Sequence, residues 1–267
     1  MHKINSFDEI ESKIISKKGI VSNFYLMPEE TKKIILAGEL FETDAENGFA
    51  WVQKKEGRNQ FFYRTDIDSA DAYECKLPDD DRYVAEIIHL TAASERYTSE
   101  KYILSNCGFH LVEPARMMAR KPSSVAFVPA EDHRIRPAVK ADERIVSALL
   151  HEAFDPLTDA IPTGNELKQT IENGEMWIDE DTKADKILGC AVFELSGKRA
   201  WVRHVTVDKK MRGQGIAKEL LLTYISRKGP ATAYALWVRD GNQAAIQLYR
   251  KAGFEETPRQ MDIWVKA

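Results

Sequence analysis

The stretch Trp201–Lys228, WVRHVTVDKKMRGQGIAKELLLTYISRK, leaves fewer folds open than any other part of this 267-residue chain. Val202 to Val207 alternates β-branched residues, which suits a buried strand. Asp208-Lys209-Lys210-Met211 breaks the alternation and predicts a turn. Arg212-Gly213-Gln214-Gly215-Ile216-Ala217 then runs into Lys218-Glu219-Leu220-Leu221-Leu222, where the leucines and Ile225 supply the buried face of a helix. Glycines just ahead of a helix let backbone N–H groups crowd together and point outward. With the positive end of the helix dipole they form an anion site, and Lys209, Lys210 and Arg212 add charge beside it. A phosphate or pyrophosphate is the expected guest. A P-loop is excluded because Lys218 is followed by Glu219 at the wrong glycine spacing. A dinucleotide loop fits Gly213 and Gly215 but meets Lys218 where its third glycine belongs. A glycine turn ahead of an ordinary helix is the plain alternative.

A second segment bears on that choice. Thr232 to Val238 reads as the next strand, and Asp240-Gly241-Asn242 as a turn in which Asn242 caps a helix. Ala245, Leu248, Tyr249 and Ala252 share one face of that helix, Gly253 ends it as a left-handed cap, and Phe254 packs after it. Arg212, Gly215 and Ala217 spell R-x-x-G-x-A after a strand, and N-Q-A-A-I-Q-L-Y-R-K-A-G-F follows. Together, in this order, they resemble the coenzyme loop and the N-x-x-A-x-x-L-Y-x-x-x-G-F segment of the GNAT acetyltransferase superfamily. The resemblance spans about His133 to Ala267.

The resemblance implies an α/β (α+β) fold with a mixed central sheet of the GNAT type. It implies acetyl-CoA as co-substrate and an amine-bearing acceptor. The strands Val202–Val207 and Thr232–Val238 are expected to splay into a V-shaped slot. The pantetheine arm would lie along Val205, Thr206 and Val207 as a surrogate strand. The pyrophosphate would rest on the N–H groups of Arg212, Gly213, Gln214, Gly215, Ile216 and Ala217, the glycines being needed for close backbone approach. Asn242 and Tyr249 would contact the coenzyme, with Tyr249 as the general acid that protonates the departing thiolate. Glu194 or His204 is a candidate relay for the amine proton, and a chain of waters is the other. Each has a plain counterpart: Tyr249 as a core tyrosine, Asn242 as a helix cap, Glu194 and His204 as satisfied structural residues.

The net charge of −4 argues against nucleic acid as a general partner. No apolar run approaches the roughly 20 residues of a membrane span, and the N-terminus lacks the apolar core of a signal peptide. Cys75, Cys107 and Cys190 are odd in number and widely spaced, which points to a reducing cytoplasm without a disulfide framework or zinc site. No metal is expected. Cys107 beside His89 or His110 would suit a thiol nucleophile, but its place before a glycine cap is that of a buried packing residue.

Residues 1–125 carry no ligand motif. Helices are expected at Ser6–Lys17, from Met27-Pro28-Glu29-Glu30 through Leu36, at Asp81–Ala93 and at Glu100–Asn106, a strand at Val21–Leu26, and a hairpin of Ala50–Gln53 with Phe61–Arg64. Two short matches suggest an internal repeat. Glu46-Asn47-Gly48-Phe49-Ala50-Trp51 resembles Glu172-Asn173-Gly174-Glu175-Met176-Trp177, and Cys107-Gly108-Phe109 resembles Ala252-Gly253-Phe254. On that reading, residues 1–125 are a GNAT-like half without a coenzyme loop, with Leu104 in the place of Tyr249 and Tyr97 in the place of Asn242. Lys121–Ser124 and Pro129–Asp132 form the linker, and residues 131–267 are the acetyltransferase half, with a first helix turning Ile145, Leu149 and Phe154 inward. Two functions stay open: an N-acetyltransferase acting on the primary amine of a small molecule, amino acid or peptide, and a non-catalytic acyl-CoA sensor. Monomer and homodimer are equally compatible with the sequence.

Overall fold

The computed structural model describes residues 1–15, 19–79, 81–90, 94–123, 127–128, 133–228 and 232–267. The chain divides into two units, Met1–Ala115 with Arg259–Ala267, and Arg116–Pro258. These units meet between Ala115 and Arg116 and between Pro258 and Arg259, whereas the sequence reading sets its boundary between residues 125 and 131. Arg259 to Lys266 pair antiparallel with Leu90 to Tyr83, so the end of the chain builds the first unit's sheet. Pairing over so long a sequence separation leaves no local signal. Of the expected linker, Ser124 and residues 129–132 lie outside the described residues.

In the second unit, His133–Pro137, Met176–Asp181, Lys186–Ser196 and Arg199–Val207 pair in turn as antiparallel neighbours. Ala233–Arg239 then joins Arg199–Val207 in parallel, the one direction that needs a crossover, supplied by the helix Ile216–Lys228. That helix buries Ile216, Leu220, Leu221 and Ile225 as its leucine pattern requires, and stacks Tyr224 on Phe193 at 3.7 Å between ring centroids. On Glu143–Ala153 the buried stripe is Val146, Leu149 and Leu150, while Phe154 is partly buried. Ile145 was expected inward and is 47% exposed, because it sits about 100° around the helix from Val146.

In the first unit, His2–Lys3, Leu40–Thr43, Gly48–Lys55 and Arg58–Asp66 pair antiparallel in turn, and Arg58–Asp66 pairs in parallel with Tyr83–Leu90. The last of these corrects the helix expected at Asp81–Ala93, of which residues 91–93 lie outside the described set. Tyr83, Val84, Ala85 and Ile87 are all buried, and β-branched Val84 and Ile87 fit a strand held on both sides. The expected helix Ser6–Lys17 is realised as Asp8–Ile14, with residues 16–18 outside the described set, and the strand expected at Val21–Leu26 is limited to Ile20–Ser22.

The strands of the two units pair in the same order, but one of the two sequence matches falls out of register. Glu172-Asn173-Gly174 closes a helix, whereas Glu46 to Gly48 lies between strands. The counterpart of Gly174 is Gly38. Gly38 (φ 73°) and Gly174 (φ 68°) are both left-handed, and Gly38 N donates to Ile35 O at 2.8 Å as Gly174 N donates to Ile171 O at 3.0 Å. The second match holds. Phe109 N donates to Leu104 O at 2.9 Å and Phe254 N to Tyr249 O at 3.0 Å, behind Gly108 (φ 81°) and Gly253 (φ 82°). The counterpart of Asn242 is Ser94 rather than Tyr97: Ser94 accepts from Tyr97 N at 3.1 Å, as Asn242 accepts from Ala245 N at 3.1 Å.

Cys75, Cys107 and Cys190 are free thiols. No helix among the described residues is long and apolar enough to cross a membrane.

Candidate active site

The site lies in the second unit, where a bulge, an opening and a glycine turn follow one another along Arg199–Val207. Against Lys186–Ser196, Phe193 faces Val202 and Val192 faces His204, so Arg203 is an extra residue that bends the strand. Against Ala233–Arg239, the parallel pairs are Arg199 with Ala233, Ala200 with Tyr234 and Trp201 with Ala235. The register of this pair ends at Trp201, two residues before the bulge. Asp208 N donates to Leu188 O at 2.8 Å, and residues of an antiparallel pair alternate in the direction of their main-chain groups. Thr206 thus bonds toward Lys186–Ser196, and the N–H and C=O of Val205 and Val207 face the opening. One of them, Val207 O, accepts from Arg212 Nε at 3.2 Å.

The turn is built by Asp208. Its Oδ1 accepts from Lys210 N at 2.9 Å and its Oδ2 from Lys186 Nζ at 2.7 Å. These two partners, Lys186 first, hold its carboxyl below the ordinary range. Met211 N closes the turn on Asp208 O at 2.8 Å. Lys209 pairs with Glu152 at 3.1 Å, and Arg212, Gly213, Gln214 and Gly215 are exposed. Gly213 and Gly215 have φ of 81° and 90°, and a Cβ on either would meet nothing within 4 Å. Backbone conformation, and not crowding by the protein, is what demands glycine here. The open space lies in front of the first turn of Ile216–Lys228, whose N–H groups have no intrahelical partner. Ile216 is buried and Ala217 half-buried, anchoring the turn.

Tyr249 is 8% exposed, tilts against Phe254 at 5.8 Å, and has its hydroxyl pKa pushed up to about 12 by burial. None of the described residues hydrogen-bonds that hydroxyl. Asn242 caps Gln243–Lys251, as its plain reading requires, and its side chain is exposed. Glu194 accepts from Arg203 Nε at 2.6 Å, with its side chain 43% exposed. His204 is buried, edge-on to Phe154, with Nε2 at 2.8 Å from Asp159 O.

That last contact belongs to a feature with no signal in the sequence. The short helix Pro156–Asp159 is capped by Asp155, which accepts from Leu157 N at 2.8 Å. Asp159 Oδ1 accepts from Arg239 Nη2 at 2.7 Å, and Thr158 Oγ1 accepts from the same nitrogen at 2.7 Å. One turn of helix thereby holds His204 on one parted strand and Arg239 on the other. Asp155-Pro156 announces a turn, but nothing local links Asp159 to a residue 80 positions away. Among the described residues no cluster of His, Cys, Asp and Glu is suited to a metal ion.

Residues 144–254 match the family described as Acetyltransferase (GNAT) family. No curated protein matches the chain. Among solved structures, a GCN5-related N-acetyltransferase from Sphaerobacter thermophilus aligns at 17% identity and a TM-score of 0.60, covering 90% of this chain and 87% of that one. An acetyltransferase from the GNAT family from Colwellia psychrerythraea aligns at 15% identity and TM-score 0.52, covering 98% and 97%. A tandem GNAT protein from the clavulanic acid biosynthesis pathway aligns at 13% identity and TM-score 0.52, covering 83% of each chain. At these identities the likeness is one of fold. The parting strands, the glycine turn and the capped Tyr249 helix all fall within residues 144–254, the segment that matches the GNAT family.

Proposed function

We propose that the second unit is an acetyl-CoA-dependent N-acetyltransferase acting on the primary amine of a small molecule, amino acid or peptide. One observation carries this reading. The main chain of Val205 and Val207 faces an opening that ends at a glycine turn and a helix N-terminus. An extended arm with amide groups suits the first, and a pyrophosphate suits the second. Acetyl-CoA would supply an activated thioester to that slot. Val205 and Val207 would hold the arm by main-chain hydrogen bonds, with Arg212 released from Val207 O toward the phosphates. Asn242 would reach the coenzyme from its cap position.

The acceptor nitrogen attacks the thioester carbonyl directly, the C–S bond breaks, and the amine loses one proton. Glu194, His204 or a chain of waters would take that proton. Tyr249 would donate to the departing thiolate. With its pKa near 12, Tyr249 is fully protonated at neutral pH. Full transfer to a thiolate of pKa roughly 8.5 is uphill, so its hydroxyl acts chiefly as a hydrogen-bond donor to the sulfur. The first unit, which repeats the strand pairing order without a glycine turn or crossover helix, would be a degenerate copy of the same fold.

A non-catalytic acyl-CoA sensor is the second reading, favoured by the engagement of Glu194 with Arg203 and of His204 with Asp159. The deciding experiment incubates the full chain with acetyl-CoA and a panel of amines, amino acids, peptides and aminoglycosides. Free thiol and acetylated products are followed by mass spectrometry. Release of free coenzyme thiol with at least one amine supports the enzyme. Acetyl-CoA binding without release across the panel supports the sensor.

A further inference from the structure

The first unit also contains parallel strands that part, and there the chain fills the opening itself. Arg58–Asp66 and Tyr83–Leu90 pair at Asn59 with Tyr83 and at Gln60 with Val84. Four to six residues past the last of these pairs, Arg64, Thr65 and Asp66 pair antiparallel with Ser22, Val21 and Ile20. Ile67 N continues the ladder onto Gly19 O at 2.8 Å. Asn23 then bridges the gap. Its Nδ2 donates to Phe61 O at 3.0 Å on one parted strand and to Glu86 O at 3.4 Å on the other, and its Oδ1 accepts from Tyr63 N at 2.8 Å. Ser22 Oγ donates to Tyr63 O at 2.8 Å. Val21 is fully buried and Asn23 is 6% exposed, so this strand is part of the core.

In the second unit the residues four to six past the last parallel pair are Val205, Thr206 and Val207. Those are the residues assigned to the coenzyme arm. The main-chain groups that face the openings are those of Val205 and Val207, four and six residues past the last pair, and of Tyr63 and Thr65, three and five past theirs, and the extra residue Arg203 accounts for the difference of one. We infer that Ile20–Asn23 is a built-in substitute for that arm, an internal strand that closes the first opening to coenzyme and leaves one acetyl-CoA site per chain. The inference rests on the proposed reading of the second opening. Its physical basis is exclusion: an arm bonded to Thr65 and Tyr63 would need the main-chain groups that Val21 and Asn23 already occupy. Peptide strand and pantetheine arm are interchangeable guests for such an edge, because both offer amide donors and acceptors along an extended backbone.

The test titrates acetyl-CoA into wild-type chain and Gly215→Val by calorimetry, with hydrogen exchange on peptides covering residues 19–24 and 205–215. The expected result is one equivalent bound by wild type, none by Gly215→Val, protection gained at 205–215, and unchanged protection at 19–24. An equivalent that survives in Gly215→Val with protection lost at 19–24 overturns the inference alone. Two equivalents on wild type do the same. Absence of binding by wild-type chain overturns the reading of the second opening, and the inference falls with it. Circular dichroism of Gly215→Val separates lost binding from lost fold.

Discussion

The two units make the same parallel connection by different means. Between its parallel strands the first runs a 3-10 turn, Ile67–Ala72, and the second a glycine turn and a thirteen-residue helix, Ile216–Lys228. The 3-10 turn is followed by Tyr73, which is buried with its hydroxyl donating to Phe49 O at 2.8 Å. It is a packing element. The second presents the N-terminus of a long helix behind two left-handed glycines, which concentrates backbone donors in open space. The helices that follow the parallel strands end alike, on Gly108 and Gly253. The contrast separates two demands on one fold. Caps and strand order recur in both units, because they hold the sheet together. A glycine turn leading into a long helix occurs in one unit, between Arg199–Val207 and Ala233–Arg239.

The largest effect expected from breaking this contrast is at Gly215. Valine at φ 90° is strained and covers the helix N-terminus, so Gly215→Val should weaken acetyl-CoA binding roughly a hundredfold or more. The acetyl-CoA-induced rise in Tm should vanish with it. An undiminished rise would remove the loop from the site.

Next is Tyr249→Phe, which keeps the ring against Phe254 and deletes the hydroxyl. A positioned general acid is worth about 10²–10⁴ in rate, and the uphill transfer places this one near the low end, roughly a hundredfold in kcat. Coenzyme affinity and Tm should change little, and the comparison is made with whichever acceptor the amine panel yields. Full kcat in the variant would return Tyr249 to a purely packing role.

Asn23→Ala probes the filled opening. It strands Phe61 O, Glu86 O and Tyr63 N, which should destabilise the first unit by roughly 2 to 3 kcal/mol. Urea unfolding followed by hydrogen exchange should locate the loss at residues 19–24 and 61–66, with coenzyme affinity intact. A neutral outcome would make Asn23 dispensable to the closure.

The smallest effect is a difference of sign with pH. Burial, opposed by Arg96, raises the Glu100 carboxyl in the first unit to about 6. A carboxyl raised above its unfolded value binds protons more tightly when folded. Stability is then fullest below pH 4.5 and falls as pH rises to about 6, by about 2 kcal/mol. In the second unit burial also penalises Asp142, but hydrogen bonds from Arg136 and from Val139 N outweigh it and lower its pKa. That contribution is present above the ordinary carboxylate range and is lost as pH falls below it. Glu100→Gln should flatten the first dependence and leave the second, as read from local unfolding between pH 3 and 7. A pH profile unchanged by Glu100→Gln would assign the first dependence elsewhere.

Much of the site was legible because its chemistry is local. Asn242 caps the residue three ahead of it, Gly253 must be left-handed to end its helix, and the Arg212–Ala217 segment needs glycines at positive φ. These demands are met within one turn of chain, and residue identity alone reports them. The same holds for the Gly108 cap and for the leucine face of Ile216–Lys228. Tyr83–Leu90 shows no strand alternation in its sequence, because Tyr83 to Ala85 are buried on both sides and apolar residues continue at exposed Ile88 and Leu90. The match of Glu46–Trp51 with Glu172–Trp177 was a coincidence of letters at unlike positions, whereas Gly38 and Gly174 correspond with little likeness around them.

The amino-acid sequence by itself determined the glycine turn and the capped Tyr249 helix, since each rests on backbone conformations that few residue types adopt. Only the tertiary structure decided where the parallel strands part, that Ile20–Ser22 pairs with Arg58–Asp66 past that point in the first unit, that Asp159 ties His204 to Arg239, and that the C-terminal strand completes the first unit. Those outcomes depend on which distant main-chain edges meet, and an edge offers the same N–H and C=O groups whatever side chains it carries.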